Sequence, residues 1–180
     1  RFADHFETLR SVIGTQGNDV RASTLTTLLF DDGPLFLTDC FIDLDPSVEQ
    51  IVSKTLLGIE QVRHFGITPR VALLSHSNFG SSNAPSARKM RQASEILRAK
   101  LPDVEIDGEM QADTAILPEL AVKKAPQSLV AGRANVMIFP DLASSNIAVK
   151  LVQYLAGAET YGQLLIGLSR PCADLSRGAT

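Results

Sequence analysis

The sequence predicts an α/β fold in which a mostly parallel sheet lies between two layers of helices. The first observation is that short apolar runs typical of buried strands recur along the chain, at 25–30, 35–40, 70–75, 104–110, 135–140 and 163–168. The second is that, after the first two runs, segments with helical spacing of apolar residues separate them. Strands that alternate with helices require βαβ crossovers, which produce a parallel sheet covered by helices on its faces.

The first two strands are predicted to form a hairpin. LTTLLF (25–30) and LFLTDC (35–40) are separated by Asp31-Asp32-Gly33-Pro34, and an Asp-Gly turn between two β-type runs indicates an antiparallel connection. A long helix is expected next, because Asp45-Pro46-Ser47 precedes apolar residues that recur every three or four positions. Gly66 is expected just past its end, as a C′ glycine.

The remaining elements are predicted from the positions of prolines as well as from the spacing of apolar residues. Pro85 suits the first turn of a helix that runs to about Lys100, and Pro118 interrupts a helix near 112–124. The other expected elements are a strand at 70–75, a strand at 104–110, a strand at 135–140, a helix from Asn146 to Leu155 and a last strand at 163–168.

Composition excludes several classes of protein. The 180 residues include 44% apolar and 21% charged residues and carry a formal charge of −3, which is typical of a globular chain and not of a disordered one. The mild acidity gives no support for nucleic-acid binding, and the apolar runs are too short to span a membrane. Two cysteines, Cys40 and Cys172, provide no disulfide framework and fit a reducing, cytoplasmic environment.

Ligands of open α/β sheets bind at the carboxyl ends of strands, so the residues after each run are the candidates for chemistry. His76-Ser77-Asn78-Phe79-Gly80-Ser81-Ser82 follows the strand at 70–75. Glycine and small hydroxyl residues before a helix can form a nest of backbone N–H groups that binds phosphate or carboxylate. An ordinary capped loop is the alternative, and His76 fits either a base or a structural donor.

Two further strand ends carry polar residues. Asp107, Glu109 and Asp113 form an acidic cluster that fits either a magnesium site or capping of the next helix by Gln111 or Asp113. Asp107 and Glu109 share a face of the strand, where like charges can raise one pKa. After 135–140, Asp141 can cap a helix, or Ser144, Ser145 and Asn146 can present donors to a ligand.

The stretch after the last strand contains Asp174-Leu175-Ser176-Arg177-Gly178. The guanidinium of Arg177 can hold phosphate with two hydrogen bonds, and the hydroxyl of Ser176 can donate to an oxyanion. A connecting loop can hold the same residues, so composition alone leaves both interpretations open.

Together these motifs resemble the phosphate acetyl/butyryltransferase (phosphotransacetylase) family over essentially the whole chain. The resemblance is carried by DLSRG, DGEMQAD, FPDL, LFLTDC and LRSVIG as they stand in this sequence. RFADHFETLRSVIG, RHFGITPRVALLSHSNFGSS and SARKMRQA are similar to the phosphotransacetylase-like C-terminal domain of bacterial NADP-dependent malic enzymes.

The resemblance implies a two-domain architecture similar to isocitrate dehydrogenase, with the active site in the cleft between domains. It places 1–20 at the end of the first domain, 21–161 in the inserted domain and 162–180 in the return to the first, so the fold is expected to be incomplete at both ends. It also implies a homodimer or higher homo-oligomer, with no metal and no covalently bound cofactor.

The family reaction converts acetyl-CoA and phosphate to acetyl phosphate and coenzyme A, so both are the implied ligands. By resemblance, Ser176 and Arg177 occupy the catalytic Ser-Arg positions, and Arg10 matches an arginine of the phosphate site. The other residues expected to contact phosphate or coenzyme A are Cys40, Ser75, Ser77, Gly80, Ser81, Asn146 and Tyr154.

Departures from the family pattern leave two functions open. Tyr154 stands where transferases often carry an arginine, Asn78-Phe79 replaces the usual Thr-Lys, and the family's aspartate base would lie beyond Thr180. The first two favour a domain of malic enzyme that senses acetyl-CoA, while the intact Ser176-Arg177 pair favours a phosphate acetyltransferase.

Overall fold

A computed structural model describes residues 2–17 and 22–173 of the chain. The strands are β1 (Ser23–Phe30), β2 (Gly33–Thr38), β3 (Arg70–Leu74), β4 (Glu105–Met110), β5 (Val136–Ile138), β6 (Glu159–Ile166) and β7 (Cys172–Ala173). The helices are α1 (Phe2–Ile13), α2 (Val48–His64), α3 (Pro85–Lys100), α4 (Ala112–Ile116), α5 (Pro118–Lys124) and α6 (Leu142–Leu155).

The strands form one sheet in the order β4-β3-β5-β2-β1-β6-β7. The pairs β4–β3, β3–β5 and β5–β2 are parallel, whereas β2–β1, β1–β6 and β6–β7 are antiparallel. Because two successive reversals restore direction, β6 points the same way as the four parallel strands, and only β1 and β7 of these described strands oppose them. The predicted α/β class with a mostly parallel sheet is confirmed.

Helices cover both faces of the sheet. One apolar cluster joins α2 and α3 to the sheet through residues such as Ile51, Val62 and Met90. A second cluster, on the other face, includes Ala115 of α4 and Val149 of α6. The three-layer arrangement follows, because each face of a parallel sheet is apolar and must be covered.

Local signals account for most of the element boundaries. Phe30 pairs with Gly33 across the predicted hairpin turn. Ser47 begins α2 with a capping box, in which its hydroxyl accepts from the Gln50 N–H and the Gln50 side chain accepts from the Ser47 N–H. Gly66 follows α2 in the left-handed region at φ 74°, as predicted.

Some boundaries differ from the sequence prediction. Helix α6 begins at Leu142 rather than Asn146, because Asp141 is its N-cap and accepts from the Ser144 N–H at 2.8 Å. Strand β6 begins at Glu159, four residues before the apolar run, because its polar first half pairs with β1. Helix α1 and the short strand β7 were not predicted. No helix among the described residues is long and apolar enough to cross a membrane.

Candidate functional site

The chain changes direction within the sheet between β3 and β5. From β3 it moves outward to β4, and from β4 it returns to place β5 between β3 and β2. The helices that follow β3 and β5 therefore leave toward opposite faces, and a crevice opens between the carboxyl ends of these two strands. This switch point is the position where open α/β sheets bind their ligands.

The structure has a cleft of about 320 Å³ at this switch point, which we call the switch-point cleft. Its lining residues come from the ends of β3 and β5 and the starts of the following helices: Leu74, Ser75, His76, Ser86, Ala112, Phe139, Pro140, Asp141 and Ser144. The Ser75 hydroxyl is buried and has no hydrogen-bond partner. An unpaired buried hydroxyl is costly, and Ser75 is one of five such hydroxyls among the described residues, the others being Ser23, Thr26, Thr38 and Ser94.

The loop that follows β3 contains Ser77, Gly80 and Ser81 and is built around Glu109, whose side chain is fully buried. Glu109 Oε1 accepts hydrogen bonds from the Ser77 hydroxyl at 2.8 Å and from the Gly80 N–H at 2.9 Å. The loop thus holds a carboxylate of the protein itself through one backbone N–H and one hydroxyl, and ligand binding by this loop stays a prediction.

Arg91 of α3 completes the surroundings of Glu109. Its Nε donates to Oε2 at 2.8 Å and its Nη2 donates to Oε1 at 3.0 Å. Burial raises the pKa of Glu109, but the hydrogen bonds from Arg91, the Gly80 N–H and Ser77 outweigh it and hold the pKa below its ordinary value. The suggestion that a like charge raises a pKa at Asp107 or Glu109 is therefore wrong for Glu109.

The other members of the acidic cluster also have protein partners. Asp107 accepts from the Gly108 N–H, and Asp113 Oδ1 accepts from the Thr114 N–H at 2.7 Å in the first turn of α4. The bond from Lys124 holds the pKa of Asp113 below its ordinary value. Gln111 occupies the N-cap position of α4 without a capping side-chain bond. Among the described residues, no group of His, Cys, Asp and Glu is arranged to hold a metal.

A second polar group lies at the carboxyl end of β2. The buried Asp39 carboxylate accepts from Lys54 Nζ at 2.8 Å, and the same ammonium is 2.6 Å from Asp43 Oδ2. Next to it, Cys40 is fully buried, and burial together with the Asp39 charge raises the pKa of its thiol to about 12. Cys40 is therefore a protonated thiol at neutral pH and is unsuited to act as a nucleophile there.

The candidate residues of the sequence fall into separate places. Ser75, Ser77, Gly80 and Ser81 share the loop after β3. Asn146 joins Cys40, because its Nδ2 donates to the Cys40 carbonyl at 3.1 Å. Arg10 lies on α1 and pairs with Glu7 at 2.7 Å, and Tyr154 is 77% exposed near the end of α6. Ser176 and Arg177 lie outside the described residues.

The sequence prediction missed two buried or half-buried cations, Lys54 and Arg91. Each lies on the buried face of a helix, three or four positions from buried residues. Lys54 follows Ile51 of α2 by three positions, and Arg91 follows Ala87 of α3 by four. A charged residue on an apolar helix face is a signal that a buried partner exists, although it does not identify that partner.

Comparisons with known proteins agree with the resemblance in the motifs. The family model described as "Phosphate acetyl/butaryl transferase" matches residues 1–180. The phosphate acetyltransferase of Thermoanaerobacterium thermosaccharolyticum is 45% identical over 159 residues, which cover 83% of this chain and 46% of that protein. The NADP-dependent malic enzyme of Escherichia coli is 37% identical over 171 residues, which cover 94% of this chain and 22% of that protein.

A solved structure has the same fold. The phosphotransacetylase from Streptococcus pyogenes superposes with a TM-score of 0.94 at 37% identity, over 100% of this chain and 55% of that one. The chain thus spans just under half the length of the phosphate acetyltransferase and less than a quarter of the malic enzyme.

Proposed function

Because the chain belongs to the phosphate acetyl/butyryltransferase family, we propose that it binds acetyl-CoA and phosphate and contributes to their conversion to acetyl phosphate and coenzyme A. The observation that carries the proposal is the switch-point cleft, where the buried Ser75 hydroxyl is unpaired and His76 and Ser144 add further polar groups. The cleft lies at the carboxyl ends of β3 and β5, which is where this architecture binds ligands.

The proposed chemistry divides between the cleft and the chain after β7. Ser75 and His76 orient the acyl-CoA, while Ser176 and Arg177, by their positions in the family motif, hold phosphate and the developing oxyanion. Donors fixed before the reaction stabilise an oxyanion without a cost of reorganisation, and a guanidinium with an adjacent hydroxyl supplies such donors. The buried thiol of Cys40 takes no part in bond making, since its pKa keeps it protonated.

Two serine substitutions test the cleft with a matched control. In the full-length protein, Ser75→Ala should weaken acetyl-CoA binding by about tenfold, the usual cost of one hydrogen bond to a bound ligand. Ser94→Ala removes another buried, unpaired hydroxyl, but from α3 and away from the cleft lining, so it should leave binding unchanged. Calorimetry measures both affinities, and equal affinities for the two variants would remove Ser75 from the site.

The transferase itself is tested by acetyl phosphate formation from acetyl-CoA and phosphate. Ser176→Ala should lower turnover by about 10²–10³, the range found when an oxyanion donor is removed. Unchanged turnover would exclude Ser176 from the mechanism.

The second candidate function is a domain that senses acetyl-CoA within an NADP-dependent malic enzyme. The relative from Escherichia coli favours it, as does the exposed Phe79 in the loop at the cleft, where transferases have a lysine. Sensing requires that acetyl-CoA bind two states of the attached enzyme with different affinity. Malate oxidation by the full-length protein, with and without acetyl-CoA, distinguishes the two functions: sensing predicts a changed rate without acetyl phosphate formation.

The remaining expectations are part of the same proposal. A cytoplasmic, homo-oligomeric protein is consistent with the family, and the division at 21–161 stays a prediction. Sedimentation of the full-length protein measures its oligomeric state.

A further inference from the structure

We infer that Glu109 is a positioning residue, whose buried carboxylate fixes the loop at 76–82 and with it His76, the residue of that loop that lines the switch-point cleft. The inference rests on the proposed function for the identity of that ligand. The Glu109 carboxylate bonds to Ser77, Gly80 and Arg91, so its effect on the cleft passes through the loop.

The first step is the attachment of the loop to Glu109. The carboxylate holds the Ser77 hydroxyl and the Gly80 N–H, and the backbone carbonyl of Glu109 accepts from the Phe79 N–H at 2.8 Å. Phe79 has a φ of 43°, in the left-handed region that a side chain with a Cβ adopts only at a cost. The Phe79 N–H and the Gly80 N–H flank this residue's backbone, and their hydrogen bonds to Glu109 hold it in that conformation.

The second step leads from the loop to the cleft. The Ser77 hydroxyl donates its hydrogen bond to Glu109 and accepts one from the Ser82 N–H at 3.0 Å. The Ser82 hydroxyl in turn lies 3.1 Å from His76 Nε2. His76 lines the cleft, so two hydrogen-bonded links that meet at Ser82 connect the buried carboxylate to a side chain on the ligand side.

The third step is the role of Arg91. It keeps Glu109 ionised through its two bonds, and its Nη2 also donates to the Ser82 carbonyl at 2.9 Å. The carboxylate therefore has four donors on its two oxygens, and the loop is held at Ser77, at Gly80 and at Ser82. A buried network of this kind specifies one conformation only when every member is satisfied.

Glutamine cannot replace Glu109 in this arrangement, although it has the same shape. Its single carbonyl oxygen can take the place of Oε1, which leaves the amide N–H₂ facing Arg91 Nε, or of Oε2, which leaves it facing Ser77, Gly80 and Arg91 Nη2. In either orientation the amide faces donors instead of acceptors. We expect Glu109→Gln to release the loop while the apolar contacts of β4 remain.

The experiment compares Glu109→Gln with Glu105→Gln in the full-length protein. Glu105 is also on β4, but it pairs with Arg133 at 2.7 Å at the partly exposed amino end of the strand, outside the cleft lining. Amide hydrogen exchange of the peptide containing 76–82 reports the loop, and calorimetry with coenzyme A reports the cleft. Thermal unfolding of each variant shows that both measurements are made on folded protein.

We expect Glu109→Gln to speed exchange in 76–82 by about tenfold or more and to weaken coenzyme A binding by a similar factor, the usual range for a buried hydrogen bond to a charged group. Glu105→Gln should change neither. Unchanged exchange in Glu109→Gln overturns the inference, and so does faster exchange with unchanged affinity.

If the wild-type protein binds no coenzyme A, the proposed function fails, and the positioning role in ligand binding fails with it. The exchange result then decides separately whether Glu109 holds the loop.

Discussion

Asp39 and Glu109 are two buried carboxylates at the carboxyl end of the sheet, and they organise different parts of the molecule. Asp39 Oδ1 accepts from the N–H groups of Phe41 and Ile42 at 3.1 Å each, and Oδ2 accepts from the N–H of Asp43. These three partners are its own neighbours in the chain, and Oδ1 also accepts from the Thr24 hydroxyl of β1 at 2.7 Å. Glu109 instead holds a loop about thirty residues earlier, through Ser77 and Gly80.

The cations that accompany the two carboxylates differ in the same way. Lys54 is almost completely buried and serves as a point charge shared by Asp39 and Asp43. Arg91 is partly exposed and makes a planar, two-bond contact with Glu109. Asp39, Asp43 and Lys54 form what we call the Asp39 group, which fixes the end of the hairpin. Glu109, Arg91 and Ser77 form the Glu109 group, which fixes the loop that brings His76 to the cleft.

The largest effect on stability is expected at the Asp39 group. Lys54→Met removes the charge that neutralises two carboxylates, and leaving a buried charge without its partner costs about 3–5 kcal/mol in unfolding free energy. Urea unfolding measures the loss. As a control, Lys89→Met breaks a pair with Asp45, which is 85% exposed, and should cost only about 0–1 kcal/mol. Similar losses of unfolding free energy for the two variants would contradict the expected difference between the buried and the exposed ion pair.

A smaller effect is expected at the Glu109 group. Ser77→Ala removes one neutral donor from a buried carboxylate, which costs about 1.5–3 kcal/mol for a hydrogen bond to a charged group. Ser94 is equally buried, but its hydroxyl has no partner, so Ser94→Ala should change the unfolding free energy by about zero or stabilise the fold slightly. If urea unfolding gives the same value for both serines, Ser77 does not stabilise the loop through Glu109.

Acid should reveal the Glu109 group. Because its folded pKa lies below the ordinary value of 4.5, the unfolded state takes up a proton first as the pH falls. The stabilisation is therefore complete above about pH 4.5 and is lost as the pH falls through the folded pKa. Stability curves of wild type and Glu109→Gln should converge on acidification. Curves that stay parallel from neutral pH downward would show that Glu109 is not the titrating group.

The smallest change is expected for Cys40, beside Asp39. Its thiol is buried with a pKa of about 12, so iodoacetamide at pH 8 should leave it unmodified in the folded protein, while the partly exposed Cys172 reacts. Mass spectrometry of the alkylated peptides measures both sites. Alkylation of Cys40 as fast as in urea would mean that the end of the hairpin opens readily.

Much of the fold could be predicted from the sequence because its signals are local. Ser47 with Gln50 and the Asp-Gly turn mark element ends through bonds to near neighbours, and Pro85 marks the start of α3 through its fixed φ. The polar first half of β6 has no such signal, since its strand conformation depends on pairing with β1.

The candidate site could be predicted only in part for the same reason. Strand ends could be located, and the loop at 76–82 was recognised as a place for an anion. That the anion is Glu109 depends on the packing of β4 beside β3 and on Arg91 from α3, which no spacing in the sequence reveals.

The position of β5 has a consequence for how the protein acquires its cleft. Asn135, just before β5, donates to the Thr68 carbonyl and accepts from the Arg70 N–H on one side, while its carbonyl accepts from the Phe36 N–H on the other. Until this segment inserts, β2 and β3 have no common neighbour, and the two walls of the cleft are not yet assembled. Contacts between distant segments form slowly, so the cleft should arise late in folding, and a ligand bound there would select chains whose central strand is already in place.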